Sequence, residues 1–215
     1  MATLGAARRL ARFVIGLTPD AIPASALEAG MRLALDTLGN ALAACRDDFG
    51  RAAIAVAERL GGPPESTVLG GGARVATANA VLANATLAHG LDFDDTREDA
   101  IVHTGCVAVT AALAAGEAAG ARGREVLAAL VAGVEVMCRV GLAVPGAFHA
   151  RHFHPTAITG ASPPPPPPPG CVACPKTRSC APSASAGVRP PASSSTSPTA
   201  PGPSDCIPAG PRMRA

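Results

Sequence analysis

The chain changes character at residue 162. Of its 22 prolines, 16 lie beyond that position, seven of them consecutive at 163–169, and no leucine or phenylalanine follows. Proline fixes φ and removes a backbone donor, and a stretch with almost nothing apolar to bury cannot offset the entropy lost on ordering. Any packed core must therefore come from residues 1–161, and residues 162–215 read as a disordered Pro/Ser-rich tail. The core has to be built from Ala, Leu and Val, because Trp and Tyr are absent and Phe occurs five times. Without aromatics there is little to stack on bases, and a net charge of +2 is too small to draw a polyanion, so no nucleic-acid partner is expected.

The longest apolar stretch, Val126 to Val144, is broken by Glu135 and Arg139 and does not read as a membrane span. The first 17 residues lack the clean apolar centre of a signal peptide and are short for a transit peptide, so they read as an ordinary amphipathic helix. The default is a cytoplasmic protein whose seven cysteines are thiols.

Helices are expected at residues 4–15, from Ser25 onward, and at 50–60, 75–90, 104–120 and 123–142, with another beginning at Pro155 and stopping at Ala161. Ser25 and Glu28 have capping-box spacing. The helix that follows carries Leu27, Met31, Leu35, Leu38 and Leu42 as one apolar stripe, and Asp36 stands four positions after Arg32 as a candidate partner. Leu127, Leu130, Val131, Val134 and Cys138 should face inward from the 123–142 helix. Ser66 to Leu69 could be a brief strand. Gly70-Gly71-Gly72 reads as a turn, since it has neither the Lys-Ser/Thr of a phosphate loop nor dinucleotide spacing. The fold class is all-α, an Ala/Gly-rich helical domain with at most one short strand.

Between two of these helices, residues 89–105 hold five acids (Asp92, Asp94, Asp95, Glu98, Asp99) and two histidines (His89, His103). A second histidine-dense loop carries His149, His152 and His154. Asp92-Phe93-Asp94-Asp95-Thr96 fits the Asp-x-Asp-x-Thr of haloacid-dehalogenase-like phosphatases, but the segment before it reads as helix where that nucleophile needs a strand. A calcium loop lacks its mid-loop Gly and terminal Glu. His89, Asp92 and His103 are metal-ligand types without a known spacing. Acid/base chemistry is the other functional option, with histidine as the proton carrier and Thr96 as a donor to an anion. A solvated turn leading into a helix N-cap accounts for the same residues.

Taken together and in order, several short motifs resemble the MmgE/PrpD family, which includes iron–sulfur-independent 2-methylcitrate dehydratase, cis-aconitate decarboxylase and iminodisuccinate epimerase. They are Leu35-Asp36-Thr37-Leu38-Gly39, then His89-Gly90-Leu91-Asp92-Phe93-Asp94-Asp95-Thr96, then His103-Thr104-Gly105. Gly133-Val134-Glu135-Val136 with Arg139, and Phe153-His154-Pro155-Thr156, complete the set, over about residues 4–161. The resemblance implies a lyase acting on a small polycarboxylate, with neither metal nor cofactor, in a cleft between a helical domain and a lid. It implies catalytic roles for His103, His154 and Asp92, and substrate contacts for Thr96. Arg97 stands where many members have His, and its charge would suit a di- or tricarboxylate. A homodimer is implied as well, with aggregation the competing outcome for a fragment.

The tail departs from that pattern, which would continue through more Ala-rich helix, a lysine-bearing segment and the lid. Proline codons (CCN) preceded by G and read one base earlier become GCC, so the proline run becomes alanine; a frameshift near codon 161 is the expectation. Residues 1–161 are then a partial N-terminal domain and 162–215 an out-of-frame tail, and the chain alone is expected to turn over little substrate. Cys171, Cys174 and Cys180 would be a metal-like spacing with no evolved role. Two other classes stay open: a metal-dependent hydrolase built on residues 92–99, and a non-catalytic helical module whose partner binds the proline run at 163–169.

Overall fold

In the computed structural model the described residues are 5–161. The expectations for the tail, including the frameshift, the cysteine spacing and the proline ligand, lie outside them. The described residues are mostly helical, as the all-α expectation required: α1 (Ala6–Gly16), α2 (Ala24–Ala44), α3 (Asp48–Leu60), α4 (Thr77–His89), α5 (Gly105–Ala119), α6 (Gly123–Leu142), α7 (Ala147–Ala150) and α8 (Pro155–Gly160). A 3-10 turn spans Pro19–Ala21. No described helix is long and apolar enough to cross a membrane.

The strand expected after Ser66 is one arm of a two-stranded antiparallel hairpin, β1 (Ser66–Thr67) and β2 (Arg74–Val75), with Ser66 opposite Val75. The triple glycine is its turn, closed by the Gly72 N–H donating to the Val68 carbonyl at 3.0 Å. The Glu65 carboxylate accepts from the Thr77 N–H (3.1 Å) and Oγ1 (2.8 Å), tying the hairpin to the start of α4. Those hydrogen bonds hold the Glu65 carboxyl below its ordinary value.

Helix α4 packs against α2, α3 and α5, and α5 packs against α6. The contacts are made mainly by small side chains: Ala41, Ala44, Leu87, Ala88 and Cys106 form one cluster, and Ala100, Val102, Ala108 and Met137 another. Such surfaces let helix axes come close, and the gain per residue is correspondingly modest, since stabilisation scales with apolar area removed from water. Gly116 of α5 shows how close: a Cβ there would lie 2.5 Å from Val126 Cγ2 of α6.

Helix α2 departs from the expected arrangement. Its buried residues are Gly30, Thr37, Asn40, Ala41 and Ala44, whereas Met31, Leu35 and Leu42 of the leucine stripe are 54%, 74% and 56% exposed. The inward face carries mostly small residues, with Leu33 and Ala34 half-buried against the cluster of Val109, Ala112 and Leu130. The capping box at Ser25 is absent; α2 begins after Pro23, with no side-chain cap, and Glu28 instead accepts from Arg32 at 2.7 Å. Arg32 is thus engaged by Glu28, and Asp36 accepts from Asn40 Nδ2 at 3.3 Å. Of the expected inward residues of α6, Leu130 is buried, and Leu127, Val131, Val134 and Cys138 are half-buried.

Candidate active site

The loop from Gly90 to Thr104 joins α4 to α5, so both ends are held by buried helices. His89 is the last residue of α4, His103 lies just before α5, and His154 precedes Pro155, the first residue of α8. Pro155 suits that place because its missing N–H would have no helical partner. The three imidazoles converge, with ring centroids 4.8 Å apart for His89 and His103, 5.9 Å for His89 and His154, and 6.4 Å for His103 and His154.

At the base of this cluster sits Asp94, whose side chain is wholly buried. His89 Nδ1 lies 3.1 and 3.2 Å from its two carboxylate oxygens, and His103 Nδ1 lies 3.2 Å from Oδ1. Burial of a carboxylate requires such partners, since an unpaired charge out of water is strongly unfavourable. Next to it, burial above all, with the Asp94 charge second, pushes the Cys106 thiol up to about 12. Cys106 therefore stays an S–H group, inert as a nucleophile.

Asp95 does a different job. Its Oδ2 accepts from the Thr104 N–H (3.0 Å) and Oγ1 (2.7 Å), and its Oδ1 accepts from the Gly105 N–H (2.7 Å). It caps α5 from a distance, while Thr104, the residue at the N-cap position, makes no capping bond through its own side chain. A carboxylate among the free amides of a helix start also complements the helix dipole. Gly105 is required beside it, because a Cβ there would lie 2.5 Å from Asp95 Oδ1 and 2.4 Å from Thr37 Oγ1. Thr37 belongs to the Leu-Asp-Thr-Leu-Gly motif, which thus supports the loop from below.

Thr96 Oγ1 stands 3.4 Å from His103 Nδ1. The His103 N–H donates to Thr156 Oγ1 at 3.0 Å, fastening the two histidine loops to each other. Asp92 is exposed and has φ +52°, while Ile101, on the other side of the loop, has φ +51°. For a β-branched residue that backbone region is strained. Asp92, Asp94, His89 and His103 each offer a ligand atom, all within 4.8 Å of one another, a set compact enough for a divalent ion. Arg97 is the outlier of the expected residues. Its guanidinium binds Asp99 through Nε (2.5 Å) and Nη2 (2.8 Å), both partners about half exposed. That pairing lowers the Asp99 carboxyl and raises Arg97.

The structure thus gathers His103, His154, Asp92 and Thr96, engages Arg97 with Asp99, and adds to the cluster His89, weighed above only as a metal ligand, and Asp94, read above only as one of the loop's acids. The resemblance gave the order of the motifs; only the fold could put the end of α4 beside the other two rings. A cavity of about 550 Å³ lies elsewhere, against α4, α5 and α6, lined by small residues such as Ala111, Ala115 and Gly133, and none of the three histidines lines it.

The model of the MmgE/PrpD N-terminal domain matches residues 8–162. The chain belongs to the MmgE/PrpD family. No curated protein matches it. MmgE/PrpD proteins are known as lyases at family level, and the match ends where the proline run begins. In this MmgE/PrpD domain the matched span takes in every residue of the histidine cluster.

Proposed function

We propose that this chain carries the histidine wall of a lyase for small polycarboxylates, of 2-methylcitrate dehydratase or cis-aconitate decarboxylase type, working by proton transfer without an iron–sulfur cluster. The observation that supports this best is the convergence of His89, His103 and His154 over the buried carboxylate of Asp94. Imidazole can accept or give a proton near neutral pH, which is what moving a proton at the carbon next to a carboxylate requires. In this reading His103 is the first candidate for that transfer, with His154 and Asp92 beside it. Thr96 and Arg97 hold the substrate's carboxylates, Arg97 leaving Asp99 to do so.

The test is to incubate the 215-residue chain with 2-methylcitrate and with cis-aconitate, following products by proton NMR and ring perturbation by nitrogen-15 NMR. Support would be substrate-dependent shifts of the His103 and His154 rings, and any turnover lost on His103→Asn. Shifts confined to residues outside 89–105 and 154–156, or turnover untouched by His103→Asn, would overturn it.

The compact ligand set of His89, Asp92, Asp94 and His103 favours a second reading, a metal-dependent hydrolase. Stoichiometric zinc or manganese in the purified protein, lost with Asp94→Asn, would favour it over the lyase.

A further inference from the structure

Asp94 has no part in the lyase roles assigned so far, yet it is the most buried acid of the site, and two imidazoles bring the same ring nitrogen to it. We propose that Asp94 is a positioning residue that fixes His89 and His103 in one tautomer, Nδ1–H toward the carboxylate, so that Nε2 of each ring is the proton acceptor. Its bearing on catalysis rests on the lyase reading above; its structural content does not.

An ionised carboxylate has lone pairs and no proton, so a neutral imidazole can meet it only by donating. His89 Nδ1 makes a hydrogen bond to Oδ1 at 3.1 Å, and His103 Nδ1 lies 3.2 Å from the same oxygen, an approach at which a ring lone pair would be repelled. The opposite tautomer would set two ring lone pairs against a carboxylate with no access to water. Thr96 Oγ1, 3.4 Å from His103 Nδ1, is compatible with this arrangement, since a hydroxyl can accept as well as donate. The Cys106 thiol, another neighbour of this carboxylate, stays S–H and donates to the His103 carbonyl at 3.5 Å, so it adds no thiolate charge beside the rings. The partner of a histidine's inner nitrogen commonly decides what the outer nitrogen can do. Here one carboxylate decides it for two rings at once. The pair then meets a substrate as two bases, and the proton for a leaving group has to come from outside it.

The experiment uses the nitrogen-15-labelled 215-residue chain, whose five histidines are few enough to assign with His149→Gln, His152→Gln and His154→Gln. Long-range proton–nitrogen correlations, recorded at a pH that leaves the rings neutral, report which nitrogen carries hydrogen. The expected result is the Nδ1–H pattern for both His89 and His103. In Asp94→Leu no acceptor remains beneath the rings, and at least one of them should switch to Nε2–H. An Nε2–H pattern for either ring in the unaltered chain overturns the proposal, as does retention of Nδ1–H by both rings in Asp94→Leu. If that variant does not fold, the unaltered chain alone still decides. None of these readouts depends on turnover, so an Nδ1–H pair without lyase activity would sink the functional reading and leave this one standing.

Discussion

The hydroxyl of Thr156 accepts a 3.0 Å hydrogen bond from the backbone N–H of His103, 53 positions earlier in the chain. Thr156 is buried, so water cannot stand in for it. Thr156→Val keeps the shape and removes the acceptor. We expect a loss of about 1–3 kcal/mol, the cost of a buried donor left unpaired, and much faster hydrogen exchange at the His103 amide. Unchanged exchange there would show that the two loops are joined by something else.

Asp95 satisfies three donors at the start of α5. Asp95→Ala should cost about 1–2 kcal/mol, the range for a lost helix cap, read from the urea midpoint. The His103 ring resonances should broaden with it, because that residue leads into α5. A stability change near zero would mean that the cap is redundant.

Cys106 gives an alkaline signature. Its folded value is raised to about 12, while the unfolded thiol titrates at its ordinary value near 9. Its contribution is thus complete below the unfolded value and is lost as pH rises toward the folded one, because there the unfolded chain binds fewer protons. Cys45 and Cys138 are raised too, chiefly by burial, and act in the same direction. Stability should fall above about pH 9, less so in Cys106→Ala, and iodoacetamide should label Cys106 only on unfolding. Rapid labelling of the native chain at Cys106 would contradict its burial.

Glu65 gives the acid counterpart. Its carboxyl is held low by the Thr77 amide and hydroxyl, so its contribution is present above the unfolded value and fades as pH falls through the folded one. Glu65→Gln should flatten the stability profile from about pH 5 downward. Identical slopes in the two proteins would remove this hairpin contact from the acid response.

Ile101 sits at φ +51° with 43% of its surface exposed. Asn tolerates that backbone region far better, so Ile101→Asn should raise the melting temperature, by about 1 kcal/mol of relieved strain. A lower melting temperature would mean that the partial burial of Ile101 outweighs its backbone strain.

Periodicity alone found most helices, and α6 matches its expected span of 123–142 because charge and apolar spacing agree throughout it. Which face of α2 turns inward was not legible: hydrophobicity favours the leucine stripe, but the buried residues are Gly30, Thr37, Asn40, Ala41 and Ala44, with Leu33 half-buried beside them. The Ser25 capping box failed because α2 starts at Ala24, after Pro23, which puts Ser25 inside the first turn and leaves Glu28 to pair with Arg32 four positions on. At the site, the resemblance supplied His103 and His154, whereas the roles of Asp94 and Asp95 differ only through what surrounds them. Two adjacent aspartates look alike in a string. One turns into the interior beneath the imidazoles, and the other turns to the amides of α5.

The closeness of α5 and α6 at Gly116 and Val126 bears on how such a protein tolerates sequence drift. A methyl at Gly116 would meet Val126 Cγ2 at 2.5 Å, so the Val126 side chain or the helix contact would have to shift. At such glycine contacts the sensitive direction is added volume, and a scan of glycine-to-alanine steps would map them where truncation of the larger core residues cannot.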